Sequence, residues 1–193
     1  MLVVKMYTLF ISTYSNLLTI GILKDDKLIL KKEKESIKSH STILIPTIDD
    51  SLKELNINTK DLSLIIVING PGSFTGVRLG VTVAKTLAFT LNAKIKTITS
   101  IDALAISDSN LNEKIVTVKD NKGYYYGVYE NNKLTCNIKY LEKESFENKY
   151  NKPNTNYYLD IEKINKYLKN IKETNPHEVK AIYIKKIEAL NDK

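Results

Sequence analysis

An α/β fold made of two copies of one unit is what the sequence predicts, and three observations predict it. The order strand-strand-strand-helix-strand-helix reads twice along the 193 residues, clearly in the first half and faintly in the second. The run Leu64 to Ile68, LIIVI, is apolar throughout, as suits a strand covered on both faces. A glycine turn follows at once and opens a long helix, in NGPGSFTGVRLGVTVAKTLAF from Asn69 to Phe89. This is the order of a duplicated ribonuclease-H-like fold in two lobes, residues 1–100 and residues 101–193.

Tyr7 to Ile11 and Leu17 to Leu23 read as the first two strands, and Leu28 to Lys32 pairs back across the turn KDDK. Leu44, Ile48, Leu52 and Leu55 recur at helical spacing, with Pro46 confined to a first turn or a kink. After LIIVI the long helix runs from Ser73 to Leu91, and Lys94 to Thr99 is a further strand. A short helix is expected over Ile101 to Ser107. Ile115 to Val118, Tyr124 to Tyr129 and Leu134 to Tyr140 read as strands, the last two joined by the turn ENNK. KPNTN (Lys152 to Asn156) reads as a loop, Tyr157 to Leu159 as a brief strand, and Ile161, Ile164, Leu168 and Ile171 as a helical stripe.

The composition, 42% hydrophobic and 26% charged, is that of a soluble globular protein. No apolar run reaches the roughly 18–20 residues of a membrane span, no signal peptide is expected in MLVVKMYTLFIS, and the cytoplasm is the expected compartment. A single cysteine, Cys136, excludes an internal disulfide and a cysteine-rich zinc site. The net charge of +7 allows either solvated lysines or a weak electrostatic contribution to RNA binding. The first 100 residues hold 13 of the basic and 8 of the acidic side chains, and no dense basic block stands out. Arg78 is the one arginine among 29 basic residues, and it lies in the glycine-turn segment. The tyrosines of GYYYGVY alternate as strand residues do, which suits packing; base stacking is the other reading.

Two uses of the glycine turn stay open at this point. Gly70, Pro71, Gly72, Ser73 and Thr75 stand before a helix N-terminus, a ready site for an anion or a nucleotide phosphate. Neither the P-loop nor the dinucleotide fingerprint is present. The helix body points elsewhere. Gly76, Gly80, Ala84 and Ala88 recur every four residues, a small-residue row that lets a second helix approach closely. Leu79, Val83 and Leu87 make a second apolar line, so the helix must be covered on two sides. The helix carrying Ile45, Ile48 and Leu52 is the internal candidate for the second cover. Arg78, a cation in the first turn, opposes the helix dipole and is expected to meet an acidic or phosphate partner. A phosphotransferase on such a fold needs carboxylates for magnesium after the first strand, where this chain has Ser12 and Thr13. The two histidines, His40 and His177, lie far apart and form no helical ligand pair, which disfavours a metallopeptidase; His40 reads as a structural or capping residue.

The segment NGPGSFTGVRLGVTVAKTLAF closely resembles the hallmark segment of the TsaB family. SHSTILIPTIDDSL (Ser39 to Leu52), VKDNKGYYYGVY and AIYIKK (Ala181 to Lys186) are similar to further stretches of that family, strongly over residues 7–105 and weakly beyond. The resemblance implies an actin-like, duplicated ATPase (ASKHA) fold that has lost most of its own active site. It implies a non-catalytic subunit that scaffolds a TsaD-like catalytic paralogue, joined by a TsaE-like ATPase, in threonylcarbamoylation of tRNA adenosine 37. It assigns partner binding to the helices Ser41 to Leu55 and Ser73 to Leu91. The partner-binding candidates are Ile45, Ile48, Leu52, Gly76, Arg78, Gly80, Val83, Ala84, Leu87 and Ala88, and the same helices pair in homodimers. ATP and a metal ion are expected on the partner subunits, with no metal or cofactor of this chain's own. A small ATP-dependent transferase that uses the turn Gly70 to Gly76 for phosphates is the alternative.

Overall fold

The structure, a computed structural model, describes residues 6–35, 40–108, 113–131, 133–150 and 157–185. The KPNTN loop, Ser39 at the head of the first-helix segment and Lys186 at the end of AIYIKK lie outside the described residues. Strands β1 (Tyr7–Ser12), β2 (Leu17–Lys24) and β3 (Lys27–Glu35) form an antiparallel meander. Its KDDK turn places Asp25 and Asp26 at φ of 48° and 69°, which aspartate tolerates better than most residues. Helix α1 (His40–Glu54) follows, with Pro46 in its second turn rather than its first. Pro46 is exposed there, and one helical hydrogen bond is forgone. Strand β4 (Leu62–Ile68), helix α2 (Phe74–Leu91), strand β5 (Lys94–Ile98) and helix α3 (Ser100–Ser107) complete the first unit. β4 and β5 join β1 in parallel, giving the order β3-β2-β1-β4-β5.

The second half is reduced. β6 (Glu113–Lys119) pairs antiparallel with β7 (Gly123–Glu130). The strand expected over Leu134 to Tyr140 is broken into β8 (Lys133–Leu134) and β9 (Lys139–Glu142), both paired with β7. At the break the Thr135 amide and hydroxyl both donate to the Val128 carbonyl. Helix α4 (Lys143–Tyr150) had no clear apolar stripe and went unseen in the sequence; it buries only Phe146. That ring packs between Tyr124 and Tyr126 on one side of β7. Residues 157–159 form no strand, and helix α5 (Ile161–Leu168) stops before Ile171, which is exposed.

Strand register sorts the first sheet into two faces. Leu9 and Ile11 are cross-strand neighbours of Ile22 and Ile20, and of Ile65 and Val67; this face lies under α1 and α2. Phe10 pairs with Gly21 and Ile66, and Ile66 with Lys96; this face lies under α5. Gly21 is needed there, since an added methyl would lie 2.6 Å from Ile161 Cδ1. Lys96 is buried and its ammonium donates to the Leu168 carbonyl at 2.7 Å, capping the end of α5. After α5 the chain bridges Thr174 to Ile95 and runs on along the end of β4. The sheets change between β5 and β6, and from residue 157 onward the chain packs back on the first one.

Candidate functional site

The glycine turn sits where three other parts of the chain converge. Gly70, at φ 104°, would with a methyl meet the Ile182 carbonyl oxygen at 2.9 Å. Its own carbonyl accepts from the Ser100 amide at 2.8 Å, and the Ser100 hydroxyl donates to the Pro71 carbonyl at 2.5 Å. Asn69 holds the same tail: its carbonyl accepts from the Ile182 amide at 2.8 Å, and its side-chain amide donates to the Lys180 carbonyl at 3.2 Å. Gly72 lies against the backbone of Tyr14, whose carbonyl accepts from the Ser73 amide at 2.7 Å. Ser73 caps α2 as expected, its hydroxyl accepting from the Gly76 amide at 3.3 Å.

The turn after β1 fills the neighbouring space with uncharged groups. Thr13 is fully buried and its hydroxyl donates to the Gly76 carbonyl at 2.7 Å. The Ser12 hydroxyl is buried without a hydrogen-bond partner among the described residues. His40, at the start of α1, donates from Nε2 to the Ser15 carbonyl at 2.7 Å and stands beside Gly76. It ties α1, α2 and the β1–β2 turn together, a structural duty close to the capping duty expected of it. Burial pushes the Tyr14 hydroxyl well above the ordinary tyrosine range, with Tyr157 adding to the effect. The glycines let two turns close on each other, and among the described residues no cluster of His, Cys, Asp or Glu there suits a metal ion.

The small-residue row is buried within the chain itself, where Gly76 meets both the Thr13 backbone and His40 of α1. Gly76, Gly80, Ala84 and Ala88 are buried on the sheet side of α2. A methyl on Gly76 would strike the Thr13 backbone oxygen, and one on Gly80 the Thr13 hydroxyl. Ile48 and Leu52 are buried in the same core. These six residues, expected to bind a partner, are buried in this chain, with α2 packed on β4 and α1 alongside. The other four remain accessible. Ile45 is 52% exposed, Arg78 is exposed, and Val83 and Leu87 are half-buried beside Leu79.

Two exposed aromatics on α2 were missed as surface candidates, Phe74 at 46% and Phe89 at 65%. Each touches the C-terminal segment: Phe74 packs on Tyr183 and Phe89 on His177, both with ring centroids 5.0 Å apart. Lys85 also donates to the His177 carbonyl. Position on the helical wheel put Phe89 opposite the buried row, and Phe74 is exposed as the first residue of α2, but the tail beside them has no periodicity to announce it. Arg78 is the fifth residue of α2, one turn further in than expected, yet its guanidinium leans back over the Phe74 ring at 5.2 Å.

The profile of the family described as TsaD, tRNA N6-adenosine threonylcarbamoyltransferase, matches residues 31–175. The chain belongs to this family, on its TsaB branch. It is 36% identical over 127 residues to the tRNA threonylcarbamoyladenosine biosynthesis protein TsaB of Bacillus subtilis (strain 168), which covers 65% of this chain and 56% of that relative. A tRNA N6-adenosine threonylcarbamoyltransferase of Persephonella marina is 35% identical over 78 residues, 40% of this chain and 22% of that one. The chain thus spans about half the length, or less, of these curated relatives. A solved structure from Pseudomonas aeruginosa, described as an uncharacterized protein with similarity to peptidase YeaZ, superposes with a TM-score of 0.77 at 16% identity. It covers 94% of this chain and 99% of that one. The fold is accordingly the two-sheet α/β fold of that structure, with the second sheet small. No helix among the described residues is long and apolar enough to cross a membrane.

Proposed function

We propose that this chain is a non-catalytic subunit in the formation of threonylcarbamoyladenosine at adenosine 37 of tRNA. It docks a TsaD-like catalytic paralogue through the outward side of the α1–α2 pair. The observation that carries this reading is the division of labour on α2. Its small row is buried inside the chain, while Leu79, Val83 and Leu87, and Ile45 on the adjacent α1, stay partly uncovered. Apolar side chains left at a helix-pair surface suit a protein partner. The relatives named as TsaB and as the transferase itself favour a paralogue as that partner. Nucleotide and metal belong to the partner subunits in this reading, a TsaE-like ATPase joins the assembly, and tRNA is reached through the complex. Without the paralogue, the same surface pairs two copies of this chain. The cytoplasm, where tRNA is modified, is the compartment.

The filled space beside the glycine turn supports the non-catalytic part. Thr13 and Tyr14 occupy the side of the turn from which carboxylate-held magnesium would approach phosphates. The alternative, a small ATP-dependent transferase, rests on the exposure of Ser73 and Thr75 at the helix N-terminus. Calorimetry of the purified chain with magnesium and ATP separates the two: no heat is expected, and saturable binding with turnover would establish the alternative. The docking reading is tested by co-purification with the paralogue and a tRNA modification assay omitting each subunit in turn. Full modification without this chain would refute it.

A further inference from the structure

We infer that Arg78 is the charged anchor of the docking surface and receives a carboxylate from the partner protein. The inference deepens the docking reading above and rests on it. Arg78 is the chain's one arginine, and among the described residues no carboxylate pairs with it. It is nevertheless held in place. Its guanidinium stacks over Phe74, and Phe74 in turn packs on Tyr183 of the returning C-terminal segment. A planar cation braced on an aromatic ring loses little freedom when it binds a carboxylate through two parallel hydrogen bonds. The stack also carries the charge over the first residue of α2, at the positive end of the helix dipole. An arriving anion relieves that repulsion.

The surroundings select a protein carboxylate over the phosphates of RNA. One turn away on the surface of α2 the exposed neighbours of Arg78 are Phe74, Thr75 and Thr82, and the next residue is the half-buried Leu79. Lys85, the one other cation of α2, is spent on the His177 carbonyl. An RNA surface gathers several cations along a backbone; a lone arginine amid apolar and hydroxyl groups is the composition of a protein interface centre. Tyr183 is a positioning residue here, acting through Phe74 on the guanidinium.

The test is titration calorimetry of the full chain against the purified TsaD-like paralogue at low and high salt, with folding of each variant checked by thermal melting. Arg78→Gln is expected to weaken binding about tenfold or more at low salt and to flatten the salt dependence, while Arg78→Lys recovers only part of the loss. Tyr183→Ala is expected to weaken binding less, and to change nothing further in the Arg78→Gln background. Additive losses in the double variant would overturn the positioning role. If Arg78→Gln binds like the parent while Ile45→Asp does not, the anchor is refuted and the docking reading stands. If neither variant loses affinity, both fall. A loss of tRNA affinity with paralogue affinity intact would make Arg78 an RNA contact and overturn the proposal.

Discussion

On the face of α2 turned to the sheet, Gly76, Gly80, Ala84 and Ala88 are buried, whereas around the helix Leu79, Val83 and Leu87 are only half-covered. The two lines have the same four-residue spacing and opposite fates. The smaller side chains are the ones fully enclosed, and at Gly76 and Gly80 closeness to Thr13 requires their smallness. The larger ones extend beyond what α1 can cover. A stripe of small residues therefore marks the tightest contact of a helix, which is as readily its own sheet as another molecule.

Substitutions on the two faces should separate stability from binding. The largest expected effect is that of Gly76→Ala, whose methyl meets backbone oxygen that cannot turn aside. We expect a loss of about 3 kcal/mol from overpacking, well above the roughly 1 kcal/mol that alanine returns in helix propensity. Urea denaturation measures it, and an unshifted midpoint would contradict the packing. Ile45→Asp, on the outward face, is expected to leave stability within about 0.5 kcal/mol. Its affinity for the paralogue should fall by tenfold or more, about 1.4 kcal/mol. Equal loss of stability and affinity would erase the distinction between the faces.

A finer cut lies within the inward face. Thr13→Ala removes a buried hydrogen bond to the Gly76 carbonyl and should cost about 1 kcal/mol. It also clears the hydroxyl that Gly80→Ala would strike, leaving Thr13 Cβ an ordinary 3.5 Å away. The double variant should be more stable than the sum of the single losses by at least about 0.5 kcal/mol; simple additivity would show that the contact is not the cause. The smallest effect belongs to the far face of the sheet, where Asp26 joins Lys169 at 2.6 Å and Asn165 at 2.8 Å. The hydrogen bond from Lys169, then that from Asn165, holds its carboxyl below the usual 3.8. Its contribution is complete above that value and is lost as pH falls through the lower folded one. Asp26→Asn should therefore cost within about 1 kcal/mol at neutral pH and less in acid.

Much of the first unit was legible because its signals are local. LIIVI needs two covers wherever it lies: α2 packs on it, and the other face of its sheet meets α5 at Gly21 and Lys96. Ser73 caps α2 because its hydroxyl reaches an amide three residues on. The α1 stripe Leu44–Ile48–Leu52 is buried as its period requires. The second unit was less legible because its devices are not periodic. Strand β8–β9 is broken by a local Thr135–Val128 contact, and α4 buries a single ring.

By itself the sequence determined the element order, the turn and caps around α2, the absence of acid after β1, and the membership that those residues mark. These depend on neighbours a few positions apart. Only the tertiary structure decided which face of α2 is spent inside the chain, and that residues 157–185 return to the first sheet to brace Phe74. Those choices depend on how residues as distant as Thr13 and Gly80, or Phe74 and Tyr183, share space. Helical periodicity counts faces but does not say what covers them.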